Sequence, residues 1–124
     1  MNETLIYLAS PYSSPDPTVL TQRFLQICAI AGDILAAGHL LYAPIAHSHP
    51  IAFHSQIMGQ QDTSWATWQR LDELMITKCD VVWVVMLDDW QASVGIAAEL
   101  SVARDRKMPI RYYDPVTKMV SETP

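Results

Sequence analysis

The run Asp80-Val81-Val82-Trp83-Val84-Val85-Met86-Leu87 constrains the fold more than any other segment. It is β-branched and apolar at successive positions, so it has no face to offer to water. A strand of that kind belongs in the middle of a parallel sheet covered by helices on both sides. Everything else in the chain must then supply neighbouring strands and the helices between them.

The flanking segments do so. Leu5-Ile6-Tyr7-Leu8-Ala9 is a short buried strand, ended by the Pro- and Ser-rich stretch Ser10 to Pro15. Asp16-Pro17 offers an N-cap followed by proline in the first helical turn. Apolar residues then recur at Leu20, Phe24, Ile27, Ala31 and Ile34, predicting a helix with one packed face that stops at Gly38. Leu40 to Ile45 reads as a second strand with Pro44 near its end, and residues 46–61 as a loop with a short helix. Asp62 or Thr63 is expected to cap a helix from Ser64 to about Lys78. Ser93 begins a further helix ending near Lys107, and Pro109 to Tyr113 is the fourth strand.

Strands alternating with helices specify an α/β chain: a three-layer α/β/α open parallel sheet of four to five strands, Rossmann/flavodoxin-like, with right-handed crossovers. The 124 residues suit one domain, spanning 1–124, and half of them are hydrophobic, enough for a core without disulfides. In such sheets ligands bind beyond the carboxyl ends of the strands, so the loops from Ser10, Ile45, Asp88 and Asp114 are those to search.

The net charge of -5 leaves no basic footprint for nucleic acid or an anionic membrane. Cys28 and Cys79 sit in apolar stretches and read as reduced core residues. The N-terminus lacks the pattern of a signal peptide, and the uncharged apolar stretch Phe24 to Gly32 is too short to span a bilayer. A soluble cytoplasmic protein is expected. Neither G-x-G-x-x-G, nor a P-loop, nor a nucleophile elbow occurs, which disfavours dinucleotide binding, P-loop phosphoryl transfer and serine-hydrolase chemistry.

Three residues stand out as candidates for chemistry. Glu99 lies at the margin of the helical stripe Ile96-Leu100-Ala103, and Gly95, four residues earlier, leaves the space above its carboxylate open. Pattern alone equally allows a surface glutamate on an amphipathic helix. Asp72 shares a helix side with Trp68 and Ile76, a setting that raises a carboxyl pKa and suits a general acid, or a hydrogen-bonded structural aspartate. Tyr7, near the end of the first strand, needs a partner for its hydroxyl if buried. Ser93 can cap its helix and present free N–H groups to the crevice. His47, His49 and His54 suggest a metal on spacing, weakly, with Asp62 as a further ligand; His47 serves equally as a substrate contact.

In order along the chain these positions resemble the nucleoside 2-deoxyribosyltransferase-like superfamily, which includes deoxynucleoside monophosphate N-glycosidases. Tyr7 to Ser13 looks like its first strand and loop, and Asp72 like its aspartate on the helix before the central strand. Ser93-x-Gly95-x-x-x-Glu99 looks like its S-x-G-x-x-x-E signature. Ala46-His47-Ser48-His49-Pro50 and Asp89-Trp90-Gln91-Ala92-Ser93-Val94-Gly95 look more like an uncharacterised bacterial and phage branch.

The resemblance implies cleavage or transfer of an N-glycosidic bond in a (deoxy)nucleoside or nucleotide. Glu99 would be the nucleophile, Asp72 the acid, and Tyr7 would orient Glu99. It places Ser10, Tyr12, Ser13, His47, Asp89, Trp90, Ser93 and Gly95 against the substrate, with Trp90, Tyr12 or Trp65 to stack on the base. It calls for no cofactor and no metal, and implies a homo-oligomer. The basic residue of nucleotide-specific members is missing, with Ser13 near its place, and the tail after Asp114 lacks the asparagine segment that transferases lend to a neighbour. Hydrolysis is therefore expected over base exchange. The alternatives are a non-catalytic nucleoside- or nucleotide-binding module of the same fold, and a metal-dependent hydrolase built on the histidines.

Overall fold

The computed structural model describes residues 3–55 and 64–124. Among them a five-stranded sheet runs in the order β2-β1-β3-β4-β5, with β1 Leu5–Ala9, β2 Leu40–Tyr42, β3 Val81–Val85, β4 Ile110–Tyr113 and β5 Val120–Ser121. The first four are parallel and β5 is antiparallel to β4. The helices are α1 Pro17–Ala36, α2 Pro44–His54, α3 Ser64–Lys78 and α4 Val94–Asp105. This is the α/β/α sandwich expected from the sequence, and β3 is buried at all five positions.

Alternation along the strands sorts the core into two halves. Ile6, Leu8, Val81, Trp83 and Val85 pack with Ile27, Ala31 and Ile34 of α1. Tyr7, Ala9, Val82 and Val84 pack with Ile76 of α3 and Ile96, Leu100 and Ala103 of α4. Asp16 caps α1 by accepting from the Thr18 N–H, and Gly38 follows the helix at φ +100°, a conformation that only glycine adopts without strain. By length and mean hydropathy α1 would also pass as a membrane span. It carries Arg23 and Asp33, and it lies against the sheet through Ile27, Ala31 and Ile34.

The expected second strand and following loop need correction. β2 stops at Tyr42, and Pro44 opens an eleven-residue helix that contains Pro50. The physical reason is that proline lacks the N–H that a first helical turn leaves unbonded, while holding its predecessor extended; Ala43 is so (φ -107°, ψ 104°). Asp62 and Thr63, expected to cap α3, lie outside the described residues, as does the Trp65 side chain.

Candidate active site

The site grows from one strand position. Odd and even residues of β1 face opposite ways, so Tyr7 points at α3 and α4 while Ile6 and Leu8 point at α1. Tyr7 is fully buried and its hydroxyl donates to Glu99 Oε2 at 2.5 Å. Burial first, then the charges of Glu99 and Asp72, hold its phenol far above the ordinary value, so it stays a donor.

Glu99 is carried into place by α4. Ser93 caps that helix by accepting from the Ile96 N–H at 3.2 Å, and the buried Ile96-Leu100-Ala103 stripe fixes its rotation. Burial pushes the Glu99 carboxyl up to about 8, the Tyr7 hydrogen bond pulls it down, and the Asp72 charge adds to the rise. On α3, burial raises Asp72 to about 6. Two carboxyls that interact across a poorly hydrated space titrate as a pair, which holds a single proton between those values. In the free protein that proton sits on Glu99, the group with the higher pKa, and moving it to Asp72 gives one acid and one nucleophile side by side.

A cavity of about 190 Å³ opens beside the pair. Its wall includes Ser10, Tyr12 and Ser13 from the loop after β1, Asp72 from α3, and Ser93, Gly95 and Glu99 from α4. Seven of the sequence-predicted residues therefore meet here, with Tyr7 behind Glu99. A Cβ on Gly95 would touch only Ser93 Oγ, at 3.8 Å, so the fold tolerates a side chain there and the open space belongs to the cavity. Ser10 is 5% exposed and its Oγ has no partner among the described residues. A buried hydroxyl left unbonded beside a cavity is poised for a ligand's polar atom.

The loop bearing Ser10 to Ser13 is held from behind. Arg23 donates to the carbonyls of Tyr12 and Ser13 at 3.2 and 2.9 Å. Tyr12 Oη lies 2.6 Å from His49 Nδ1, and Phe24 stacks on the same imidazole with centroids 4.3 Å apart. Burial lowers the His49 pKa, favouring the neutral ring that can accept from the phenol.

Three expected contacts fall elsewhere. His47 is exposed on α2, its ring 6.2 Å from that of Tyr42. Because α2 is a helix rather than a loop, Ile45, Ser48 and Ala52 turn to the cavity and His47 does not. Asp89 is exposed, adopts φ 67°, and pairs with Arg23 at 3.7 Å beside a second pocket bounded by Ser13, Ser93 and Val94. Trp90 opens a short 3₁₀ turn and packs on Tyr112, centroids 5.8 Å apart, outside the cavity lining. Among the described residues no three His, Cys, Asp or Glu side chains form a group able to hold a metal ion. The three histidines pack on aromatic rings instead: His47 on Tyr42, His49 on Phe24 and Phe53, and His54 on Phe53.

Sequence reasoning missed Ser48, Gln69 and Glu73, all on the cavity wall. Gln69 and Glu73 each follow by one residue the Trp68-Asp72 row, which also lines it, so that spacing was a usable signal.

Fold and site together define an α/β protein with a tyrosine-braced carboxylate pair at the rim of its sheet. Residues 4–115 match the family described only as a domain of unknown function, DUF1937, and the chain belongs to that family. No curated protein matches it.

Proposed function

We propose that this protein cleaves the N-glycosidic bond of a (deoxy)nucleoside or nucleotide through a covalent glycosyl-enzyme on Glu99, with water as the usual acceptor. The reading is supported above all by the Tyr7–Glu99 hydrogen bond at the edge of a cavity that Asp72 also lines. It draws further support from the superfamily resemblance of Tyr7, Asp72 and the Ser93-x-Gly95-x-x-x-Glu99 stretch.

In the first step a Glu99 oxygen bonds to C1′ as the C1′–N bond breaks. The bonding pair leaves with the base, and the Asp72 proton goes to the base nitrogen. Before this step the single proton of the pair passes from Glu99, which desolvation keeps protonated in the free protein, to Asp72, and the positive charge that develops at C1′ favours the ionised Glu99 so formed. Tyr7 keeps Glu99 aimed. Water then attacks C1′, gives a proton to Asp72, and releases Glu99 and the sugar. Ser10, Ser93 and the first N–H groups of α4 suit the hydroxyl or phosphate end of the sugar. The two free cysteines fit a reducing compartment, and we place the reaction in the cytoplasm of a homo-oligomeric protein.

The test is incubation with a panel of nucleosides and nucleoside monophosphates, with free base measured by chromatography. Base release is expected, and Glu99→Ala should lower it by about 1,000-fold or more, in keeping with loss of a covalent nucleophile. Cleavage by Glu99→Ala at the parental rate would overturn the assignment. Ligand-induced thermal stabilisation without turnover would favour a binding module.

A further inference from the structure

Tyr42 is the Cα partner of Tyr7 across β1 and β2, and the two rings lie 6.0 Å apart, centroid to centroid. Strand partners in register project to the same face of a sheet, so both phenols enter the space under α3 and α4. Their hydroxyls are used differently. That of Tyr7 is bonded to Glu99. That of Tyr42 is buried and has no partner among the described residues, and the same is true of Asp72 Oδ1.

These two orphans are a donor and an acceptor on neighbouring groups. Burial raises the Tyr42 phenol to about 12, with the Asp72 charge as the next cause, so the hydroxyl stays protonated beside that carboxyl. Buried polar atoms are rarely left unmade, and complementary ones in one place satisfy each other at least cost.

We propose that Tyr42 is the positioning residue of Asp72: a rotation of one of the two side chains, which no hydrogen bond holds at these atoms, brings its hydroxyl to donate to Oδ1 and leaves Oδ2 to carry the transferable proton toward the cavity. The two tyrosines then do parallel work, Tyr7 for the nucleophile and Tyr42 for the acid. When C1′–N breaks, the proton passes from Oδ2 to the base nitrogen, and the Tyr42 hydrogen bond steadies the carboxylate left behind. The catalytic part of this inference rests on the N-glycosidase reading; the hydrogen bond does not.

Two measurements on the full chain carrying Tyr42→Phe keep them apart. The first is the Asp72 carboxyl titration followed by NMR. The titratable groups facing Asp72 are Glu99 of α4, Tyr7 of β1 and Tyr42 of β2, with Glu73 next to it on α3. Removing a donor to the ionised form should raise the Asp72 pKa by about one unit, and an unmoved titration would overturn the proposal.

The second compares a nucleoside with a nitrophenyl 2-deoxyriboside, whose leaving group departs as a stable anion without a proton. Tyr42→Phe should lower kcat on the nucleoside about 10-fold, with KM little changed, and leave the nitrophenyl substrate within about 2-fold of the parent. Equal loss on both would mean a merely structural tyrosine and would overturn the positioning role. If the parent cleaves neither, the N-glycosidase reading falls and the titration still decides the hydrogen bond. Should Tyr42→Phe not fold, Asp72→Asn replaces it: the Tyr42 phenol pKa should then drop, and one that stays put overturns the pairing.

Discussion

The two faces of the sheet are built from the same strands and hold opposite kinds of interior. Toward α1, Ile6, Leu8, Val81 and Val85 meet Ile27, Ala31 and Ile34. Two of the aromatic groups there, Trp83 and Tyr113, stack on each other with centroids 6.2 Å apart. Toward α3 and α4, the same β1 strand contributes Tyr7, and the layer above it contains two carboxyls with raised pKa values and orphaned oxygens on Tyr42 and Asp72. A single-residue step along β1 separates the two. The first face is optimised for burial; the second accepts unfavourable desolvation that a fold alone has no use for.

The contrast is broken most forcefully on the dry face. Ile27 is fully buried among apolar neighbours, so Ile27→Ala removes contacts and leaves a void that α1 and the sheet cannot close fully. It should destabilise the protein by about 2–5 kcal/mol. Denaturant midpoints at constant m measure this, and a loss below about 1 kcal/mol would show that the α1 face is loosely packed.

On the reactive face the same kind of experiment should have the opposite sign. Glu99 binds its proton more tightly folded than unfolded, its pKa rising from 4.5 to about 8. Its contribution to stability is therefore complete below the unfolded value and is lost as pH climbs through the folded one. Glu99→Gln carries no charge at any pH and still offers Tyr7 an acceptor. At about pH 8 it should be more stable than the parent by about 1–3 kcal/mol, with the difference shrinking toward about pH 5. Thermal melts at both pH values test it. A difference independent of pH would mean that Glu99 titrates as an ordinary surface carboxyl, and the distinction between the faces would lose its electrostatic basis.

How the two faces read from the sequence follows the same division. Periodicity exposed the dry face well: the spacing of Phe24, Ile27, Ala31 and Ile34, and the unbroken apolar run of β3, each describe what packs against what. It also put Asp72 and Glu99 on helices beside apolar stripes, which is where they are. Pattern placed Asp72, one helix before the central strand, near the same crevice, but it could not join it to Tyr7 and Glu99, because the three come from different elements and only the sheet order brings them together. The superfamily resemblance supplied that grouping. The errors cluster around α2, where a proline that starts a helix looks the same in sequence as one that ends a strand. That ambiguity carried His47 away from the cavity and hid Ser48. β5, two exposed residues paired to β4, has too little pattern to be seen.

Ser10 gives the smallest effect and the finest distinction. On the dry face a buried atom is there because it packs, and removing it costs stability. The Ser10 hydroxyl is buried at the mouth of the reactive face without a partner among the described residues, so its desolvation is uncompensated in the free protein. Ser10→Ala deletes that hydroxyl and leaves the rest of the side chain in place. Stability should stay level or rise by about 1 kcal/mol, since removing an unsatisfied buried group relieves its penalty. Substrate affinity should fall several-fold, with kcat little changed, because the hydroxyl's partner arrives with the ligand. Melting curves and substrate titrations on one preparation measure both. A drop in stability of more than about 1 kcal/mol would assign Ser10 to the scaffold, and the boundary between the two kinds of interior would then lie deeper, between Tyr7 and Glu99 themselves.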